Sequence, residues 1–248
     1  MDRLPVAIVG ASGYTGAELL RLLLLHPRVE IASISAGRAA GSSIDTVFPQ
    51  FRDRLDLPVE AFDADAIAAK AKVAFACLPH GQSARVVDAL RGKGLPVIDL
   101  SADFRLRDVD VYEEWYASEA EPVHPAKGRM AEAVYGLPEL HRDAIREAPL
   151  VAAPGCYPTS AILAIAPLVK EGLVDPISLI VDSKSGVSGA GRNPSRAAHF
   201  PEAGEGIRAY KVGGTHRHTP EMEEQLSALA DRSVRLSFTP HLVPMSRG

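Results

Sequence analysis

Residues Pro5 to Gly16 read PVAIVGASGYTG, an apolar run that ends at Gly10 and continues into glycines spaced G-x-x-G-x-x-G. The apolar run is typical of a buried strand, and the helical signal of Gly13–Leu25 follows it directly. Glycines at a strand-to-helix turn let the backbone approach a pyrophosphate, and the helix N-terminus adds amide donors and partial positive charge. The stretch therefore predicts a dinucleotide-binding turn. The alternative is a tight turn that needs glycines for its backbone alone.

Alternating strand and helix signals continue through the first hundred residues. After the opening strand and helix, the predicted elements are the strand Val29–Ser35, the helix Ala64–Lys70, the strand Lys72–Leu78, the helix Ser83–Arg91 and the strand Pro96–Leu100. This rhythm is typical of right-handed βαβ units. It predicts an α/β fold with a mostly parallel sheet and helices on both faces.

The rhythm breaks after Leu100. Residues Ser101–Glu139 hold prolines, glycines and charges with little periodicity, so we expect long ordered loops there. The later signals are the strand Leu150–Ala153, the helix Thr159–Lys170, the strand Ile177–Asp182, the helix Glu221–Ala230 and the strand Val234–Leu242. We expect a Rossmann-like dinucleotide-binding domain over residues 1–152 and an α+β domain over residues 153–248.

The composition is that of an ordinary globular protein. The 248 residues are 46% hydrophobic and 23% charged, which excludes a disordered or collagen-like chain. A net charge of −4 gives no basic surface for nucleic acid. The sequence begins MDRLPVAIVG, which leaves no room for a cleaved leader, and no apolar run reaches the ~20 residues of a membrane span. We therefore expect a cytoplasmic protein whose two cysteines are free thiols.

The end of the second predicted strand indicates the type of dinucleotide. An NAD site has a carboxylate there to hold the ribose 2′-hydroxyl, but this segment reads SISAGR, from Ser33 to Arg38. The acid Glu30 lies at the start of the strand, too early to serve. Ser35 and Arg38 suit a 2′-phosphate, because arginine makes charge-assisted hydrogen bonds with phosphate. The sequence predicts NADP(H), although Arg38 by itself fits an ordinary surface arginine equally well.

Cys156 is the candidate nucleophile. It lies in PGCYPT (154–159), where Pro158 suits the first turn of the apolar helix that follows. The macrodipole at a helix N-terminus stabilises a thiolate, and a thiolate attacks activated carbonyl groups. The alternative is a small buried cysteine, which we expect for Cys77 inside an apolar strand.

Thiolate chemistry needs a proton donor or acceptor tuned near neutral pH, which is usually a histidine. His216 and His218 lie in HRHTPE (216–221), just before a predicted helix. A metal site is the alternative for a His-x-His pair. No third ligand cluster accompanies the pair in sequence, so we expect no metal.

Two loops that follow predicted strands add candidate ligand contacts. DLSADFR (99–105) contains Ser101 and Arg105, and the charge of Arg105 suits an anion. SKSGVSGAGR (183–192) is dense in glycine, and such a loop brings backbone donors close to a ligand. The alternative for the second loop is a flexible hairpin or linker.

Seven motifs occur in the order in which N-acetyl-gamma-glutamyl-phosphate reductases carry them, and the chain resembles that family from Val6 to Gly248. The motifs are GASGYTGAELLRLL, LPHGQS, DLSADFR, YGLPEL, PGCYPT, SGVSGAGR and HRHTPE. PGCYPT together with HRHTPE is specific, whereas the glycine motif alone is not. The resemblance implies an NADP-binding Rossmann domain, an α+β catalytic and dimerisation domain, and a homo-oligomer, either a dimer or a tetramer.

The resemblance also implies roles for individual residues. Cys156 matches the nucleophile and His216 the general acid/base, with His218 as the second choice. The residues expected to contact the substrate are Ser101, Arg105, Arg217 and His218. The residues expected to bind the cofactor are Gly10, Ser12, Gly13, Tyr14, Thr15, Gly16, Ser35, Arg38, Ser188, Gly189 and Gly191.

The implied reaction is the NADPH-dependent reduction of N-acetyl-L-glutamyl 5-phosphate to N-acetyl-L-glutamate 5-semialdehyde and phosphate through a cysteine thioester, in arginine biosynthesis. Two alternatives stay open: a related reductase acting on an aminoadipyl or aspartyl phosphate, and a non-catalytic NADP(H)-binding protein. A short-chain dehydrogenase would need a Tyr-x-x-x-Lys pair, and no tyrosine here has a lysine four residues later.

The length of the chain leads to one further expectation, about its C-terminal end. Members of the family that the chain resembles continue past the position that matches Ser246-Arg247-Gly248. This chain ends directly after the strand signal SFTPHLVP. We therefore expect a C-terminally truncated second domain with exposed apolar surface, and a recombinant chain that aggregates or is inactive.

Overall fold

The apolar runs of the N-terminal half become the strands of one parallel sheet. The strands are β1 Leu4–Val9, β2 Val29–Ser35, β3 Val59–Glu60, β4 Val73–Ala76, β5 Val97–Asp99, β6 Ala133–Tyr135 and β7 Leu150–Ala152. The helices between them are α1 Tyr14–Leu23, α2 Ile44–Val47, α3 Ala64–Lys70, α4 Gln82–Gly92, α5 Val109–Tyr116 and α6 Pro138–Glu147. The strand order is β3-β2-β1-β4-β5-β7-β6, and each neighbouring pair runs parallel. The order reverses between β1 and β4, which is where sheets of this kind bind ligands.

This computed structural model describes residues 3–248, which divide into two units at the bond between Ala153 and Pro154. Met1 and Asp2 lie outside the described residues. They are the first two residues of the predicted N-terminal domain and of the segment MDRLPVAIVG, on which the expectation about a leader was based. Within residues 3–248, no helix is both long enough and apolar enough to cross a membrane.

Both faces of β1 are buried, as its unbroken apolar sequence predicts. Val9 belongs to a buried cluster on one face of the sheet that includes Ile67 of α3 and Val87 of α4. Ile8 belongs to a second cluster that includes Leu20 of α1. Burial of each such side chain contributes about 1.5–3 kcal/mol to stability. The predicted sheet with helices on both faces is therefore confirmed.

The C-terminal unit combines helices with a small mixed sheet. Its elements are α7 Cys156–Lys170, β8 Leu179–Ser185, α8 Phe200–Ala203, β9 Arg208–Ala209, α9 Thr219–Ala230 and β10 Leu236–Leu242. β10 lies between β8, with which it pairs in parallel, and β9, with which it pairs antiparallel. α7 packs against α9. The α+β pattern predicted for this half is confirmed, and the packing of the two helices brings their N-terminal residues together.

The prediction of long loops over Ser101–Glu139 is partly wrong. The segment contains the helix α5, a 3₁₀ helix at Lys127–Glu132 and the strand β6. α5 starts where the Asp108 carboxylate accepts the N–H of Asp110 at 2.9 Å. With eight residues, α5 is too short to show a helical period, and the three residues of β6 are too few to show alternation.

Two buried aspartates join the segment after β5 to the start of α4. Asp103 accepts the backbone N–H of Gly81, at 3.0 and 2.9 Å to its two oxygens, and the N–H of Ala84 at 2.8 Å. Asp99 accepts the hydroxyl of Ser101 at 2.6 Å. Since both aspartates are 0% exposed, the protein must satisfy their oxygens internally. Asp103 therefore fixes the loop that precedes α4, and Asp99 is joined to α4 because it also accepts the Ser83 hydroxyl.

The turn after β1 has a backbone that only glycine tolerates. Gly10 has φ +89°, and a Cβ there would overlap the carbonyl oxygen of Cys77. Its N–H and that of Ala11 donate to the carbonyl oxygen of Ser35, at 2.8 and 3.1 Å. The turn is therefore held between the carboxyl ends of β4 and β2.

We expect Gly10→Ala to lower the free energy of unfolding by about 1–3 kcal/mol, because the new methyl group must displace backbone. Gly13→Ala is the matched control, since a Cβ there would lie 3.7 Å from the Gly10 carbonyl oxygen, in ordinary contact. Urea unfolding followed by circular dichroism measures both. Equal midpoints for Gly10→Ala and the wild type would contradict the close approach.

Asp99 should make stability depend on pH. Burial, with the negative charge of Asp103 adding to it, raises the pKa of Asp99 from 3.8 to about 6. Between these values the folded protein binds a proton more readily than the unfolded chain, so this contribution is full below about pH 4 and is lost as pH rises through about 6. Asp99→Asn should remove that loss, on the order of 2–3 kcal/mol. Stability curves at pH 4 to 7 test this, with the 95% exposed Asp143→Asn as the control; an unchanged slope in Asp99→Asn would refute it.

Candidate active site

The turn between β1 and α1 presents backbone N–H groups at its surface. Gly13 is the N-cap of α1 and has no side chain with which to cap the helix. The N–H groups of Tyr14 and Thr15, both exposed, have no acceptor within the helix. Ser12 and Gly13 are half-buried and Gly16 is buried. Because a Cβ at Gly13 would meet little, a phosphate can approach this backbone closely, and the turn fits a dinucleotide.

The end of β2 lies beside that turn. Ser35 is 1% exposed, and its backbone carbonyl holds the turn. The Ser35 hydroxyl is enclosed, with no hydrogen-bond partner among residues 3–248. A ligand at this edge would therefore meet the backbone after Ser35 and the exposed side chain of Arg38, rather than the Ser35 hydroxyl.

Sequence reasoning missed a carboxylate at this edge. β3 pairs with β2 so that Glu60 lies opposite Ser35. The Glu60 carboxylate binds Lys70 Nζ at 2.7 Å and accepts the Ser33 hydroxyl at 3.2 Å. The hydrogen bond from Lys70 lowers the pKa of Glu60. Lys70 balances the charge of this acid, and the exposed Arg38 offers a positive charge to a 2′-phosphate. β3 has two residues, which is too short for a sequence signal.

Cys156 is the first residue of α7 and is exposed. The helix starts there because Gly155 has an extended backbone and its carbonyl accepts the N–H of Thr159 at 2.9 Å and the Thr159 hydroxyl at 2.8 Å. Pro158 has no N–H. The first-turn donors beside the thiol are therefore the N–H groups of Cys156 and Tyr157, which have no acceptor within the helix. They can bind an oxyanion formed on a carbonyl that the thiol attacks.

The two histidines contact each other at the start of α9, with ring centroids 4.8 Å apart. The N–H of His218 donates to Nδ1 of His216 at 3.1 Å, which leaves the ring proton of neutral His216 on Nε2. His216 is 9% exposed and packs edge-on against Phe238 at 5.1 Å. Burial, then the charges of Lys211 and Arg217, lower the pKa of His216 to about 4. His216 is therefore neutral at physiological pH.

His218 packs against the residue that precedes the thiol. A Cβ on Gly155 would lie 2.7 Å from both Cε1 and Nε2 of His218, so the imidazole edge rests on the Gly155 backbone. His218 is half-buried, which leaves part of the ring accessible beside Cys156. A second contact on Gly155 comes from Glu221, whose Oε1 accepts the Gly155 N–H at 2.9 Å. Sequence reasoning quoted Glu221 within HRHTPE and gave it no role.

The predicted substrate contacts in the N-terminal unit are engaged within the protein. Arg105 is 7% exposed, and its Nε and Nη2 donate to the carbonyl oxygens of Ala153 at 2.7 Å and Leu100 at 3.0 Å. Ser101 is 3% exposed, and its hydroxyl donates to Asp99. Both side chains hold the segment after β5 in place. Arg217, in the C-terminal unit, is half-buried next to the histidine pair.

The glycine-dense loop after β8 forms a 3₁₀ helix at Val187–Ala190. The N–H of Ser188 donates to the Ser246 carbonyl at 3.1 Å, and its hydroxyl accepts the N–H of Gly248 at 2.9 Å. Gly189 and Gly191 are exposed. This loop lies in the C-terminal unit, whereas the other predicted cofactor residues lie in the N-terminal one.

The two remaining questions from the sequence concern Cys77 and metals. Cys77 follows β4, and burial raises the pKa of its thiol to about 12. A thiol with that pKa is not a nucleophile at neutral pH, so we expect Cys77 to serve in packing.

In the part of the chain that the structure describes, no three histidine, cysteine or acidic side chains are grouped closely enough to hold a metal ion.

Family profiles match both halves of the chain. Residues 5–148 match the profile described as semialdehyde dehydrogenase, NAD binding domain, and residues 156–248 match semialdehyde dehydrogenase, dimerisation domain. Among curated relatives, N-acetyl-gamma-glutamyl-phosphate reductase of Syntrophobacter fumaroxidans is 54% identical over 99% of this chain and 70% of its own length. The protein of the same name from Pelobacter propionicus is 51% identical over 99% of this chain and 69% of its own length.

The chain is also similar in fold to solved structures of semialdehyde dehydrogenases. Aspartate semialdehyde dehydrogenase II from Vibrio cholerae matches with a TM-score of 0.69 and 17% identity, over 99% of this chain and 72% of that chain. Aspartate semialdehyde dehydrogenase with NADP from Candida albicans matches with a TM-score of 0.65 and 16% identity, over 99% of this chain and 69% of that chain. At these identities the likeness shows the fold. Together with the profiles and the curated relatives, it places this chain in the semialdehyde dehydrogenase family, among the N-acetyl-gamma-glutamyl-phosphate reductases.

Proposed function

We propose that this chain reduces N-acetyl-L-glutamyl 5-phosphate to N-acetyl-L-glutamate 5-semialdehyde and phosphate with NADPH. The observation that carries the proposal is the exposed thiol of Cys156 at the first position of α7, with His218 packed against Gly155 beside it. The identity of 54% to a reductase with that activity in its name supports the choice of substrate. The description of residues 156–248 as a dimerisation domain supports a homo-oligomer.

NADP(H) is the cofactor that the N-terminal unit fits. The N–H groups of Tyr14 and Thr15 would hold the pyrophosphate, and Arg38 the 2′-phosphate. The approach to this backbone is open at Gly13, where a Cβ would meet the protein at 3.7 Å. When bound, the reduced nicotinamide supplies the hydride that turns an enzyme thioester into a thiohemiacetal.

Cys156 performs the acyl transfer. Its sulfur attacks the carbonyl carbon of the acyl phosphate, and the thiol proton passes to the imidazole of His218. The bond from the carbonyl carbon to the phosphate oxygen breaks, and phosphate leaves with the electron pair and takes up the imidazole proton. The product on the enzyme is a thioester. The N–H groups of Cys156 and Tyr157 stabilise the oxyanion formed on the way.

The same groups release the product. The thiohemiacetal oxygen carries the negative charge, which the N–H groups at the start of α7 again stabilise. As its carbonyl forms, the carbon–sulfur bond breaks and Cys156 leaves as a thiolate. The aldehyde is then free to dissociate.

We assign the proton to His218 and a supporting role to His216, the reverse of the order expected from the sequence. Nδ1 of His216 accepts a hydrogen bond from the backbone of His218, and its ring packs against Phe238. Its pKa of about 4 makes it a poor proton acceptor at neutral pH. Neutral His216 is suited to hold the backbone of His218 in place.

The function is tested by phosphate-dependent reduction of NADP⁺ with N-acetyl-L-glutamate 5-semialdehyde, the reverse reaction. We expect turnover in the wild type, loss of more than ~10³-fold in Cys156→Ser, and turnover near wild type in Cys77→Ser. NAD⁺ and aspartate semialdehyde serve as comparison substrates and should react more slowly. Turnover in Cys156→Ser close to that of the wild type would contradict the proposal.

The two histidines should differ in the same assay. We expect His218→Asn to lower kcat by about 10²–10⁴-fold, because the proton loses its acceptor. His216→Asn should lower kcat by about tenfold or less, since asparagine offers an acceptor oxygen to the His218 N–H. A larger loss in His216→Asn than in His218→Asn would restore the order that the sequence suggested.

A further inference from the structure

Glu60 is an acid at the ligand-binding edge of the parallel sheet, and the proposed function gives it no part. It is the last residue of β3, and it pairs with Ser35, the last residue of β2. Dinucleotide-binding sheets use a carboxylate at this edge to hold the ribose 2′-hydroxyl of NAD. The fold therefore places an acid of the NAD type beside a site that we assign to NADP(H).

The loop that carries Arg38 is anchored to the same short strand. On one side of Arg38 the N–H of Ala36 donates to the carbonyl oxygen of Glu60 at 3.1 Å. On the other side the N–H of Gly41 donates to the carbonyl oxygen of Val59 at 2.8 Å. Arg38 is therefore kept near the end of β3. A 2′-phosphate bound by Arg38 would feel the charge of the Glu60 carboxylate as well.

Two contacts hold this carboxylate back from the edge. Oε1 of Glu60 lies 2.7 Å from Nζ of Lys70, and Oε2 accepts the hydroxyl of Ser33 at 3.2 Å. Ser33 lies two residues before the end of β2. Lys70 is the last residue of α3, the helix that runs from the end of β3 back towards the start of β4. Both contacts therefore draw the carboxylate back along the strands, away from the edge at which the strands end.

Lys70 also balances the charge of Glu60. The hydrogen bond from Lys70 lowers the pKa of Glu60, and the negative charge of Asp63, the N-cap of α3, acts in the opposite direction. The Glu60 side chain is 37% exposed, and a glutamate with that access to water stays ionised at neutral pH without a partner. Loss of Lys70 would therefore free the carboxylate and leave its charge in place.

We propose that Lys70 determines cofactor specificity by holding the Glu60 carboxylate back and balancing its charge, so that this edge accepts the 2′-phosphate of NADP(H). The proposal rests on the proposed function, in which NADP(H) binds at this edge. A carboxylate released from Lys70 would repel a 2′-phosphate and would be free to accept the 2′-hydroxyl of NAD(H). Lys70 acts through Glu60 and is a positioning residue that need not touch the cofactor.

Four variants separate the charge of Glu60 from any other effect of Lys70. Lys70→Met removes the cation and leaves the acid, whereas Lys70→Arg keeps a cation. The double variant Lys70→Met with Glu60→Gln removes both charges of the pair. The matched control is Lys93→Met, because Lys93 lies in the same unit, pairs with Asp65 at 2.6 Å and is 42% exposed, against 44% for Lys70.

The measurement is the dissociation constant of each protein for NADPH and NADH, by isothermal titration calorimetry without substrate. Adenosine 2′,5′-bisphosphate and 5′-AMP serve as probes of the adenosine half alone. We expect Lys70→Met to weaken NADPH binding by ~5–20-fold at low salt and to leave NADH binding within ~3-fold of the wild type or tighter, because NADH has no 2′-phosphate. The two probes should show the same contrast. The loss relative to the wild type should shrink below ~3-fold in about 0.5 M NaCl, where exposed charges are screened.

Lys70→Arg, the double variant and Lys93→Met should bind NADPH within ~3-fold of the wild type, because none of them leaves Glu60 as an unbalanced acid. The proposal is overturned if Lys70→Met weakens NADPH and NADH equally or not at all, or if the double variant binds NADPH as weakly as Lys70→Met. Should Lys70→Met fail to fold, Lys70→Gln takes its place. A wild type that binds NADPH without turnover contradicts the proposed reaction alone, and the binding ratios still decide the role of Lys70. A wild type that binds neither nucleotide overturns both.

Discussion

Backbone N–H groups at helix N-termini, which the helices themselves cannot satisfy, are the constraint on which the proposed binding and reaction sites depend. The start of α4 is closed by the Asp103 carboxylate, which accepts the N–H groups of Gly81 and Ala84. The start of α1 has a glycine at its N-cap, and we propose that the N–H groups of its first turn bind a dinucleotide phosphate. The start of α7 is capped in part. Glu221 accepts the Gly155 N–H, and the N–H groups of the next two residues remain beside the thiol.

The sequence predicted those parts of the fold whose signals are local. Apolar runs closed by glycine or proline marked β1, β4 and α7, and the position of Pro158 marked the start of α7 correctly. β3 and β6 were missed because two or three residues show no alternation, and α5 because its eight residues hold one buried side chain, Tyr112. The two short strands exist because neighbouring strands pair with them, and pairing is not visible along the chain.

The candidate site shows the same difference between local sequence signals and contacts formed by folding. Cys156 and the histidine pair were predicted as site residues because their motifs carry their own chemistry. The contact from Glu221 to Gly155 spans 66 residues of sequence and follows from the packing of α7 on α9. Arg105 was predicted to contact a substrate anion, and in the structure its buried guanidinium donates to two backbone carbonyl oxygens. Burial decides between these uses of a charged side chain, and a single sequence does not report burial.

The central claim is that Cys156 carries the acyl group between the acyl phosphate and the aldehyde. It is tested most directly by mixing the protein with N-acetyl-L-glutamyl 5-phosphate without NADPH and mapping the modified peptide by mass spectrometry. The account predicts an N-acetylglutamyl thioester on the peptide that contains Cys156, which hydroxylamine removes and NADPH discharges as the semialdehyde. A protein that gives no adduct, or one that carries the acyl group on Cys77, would contradict it.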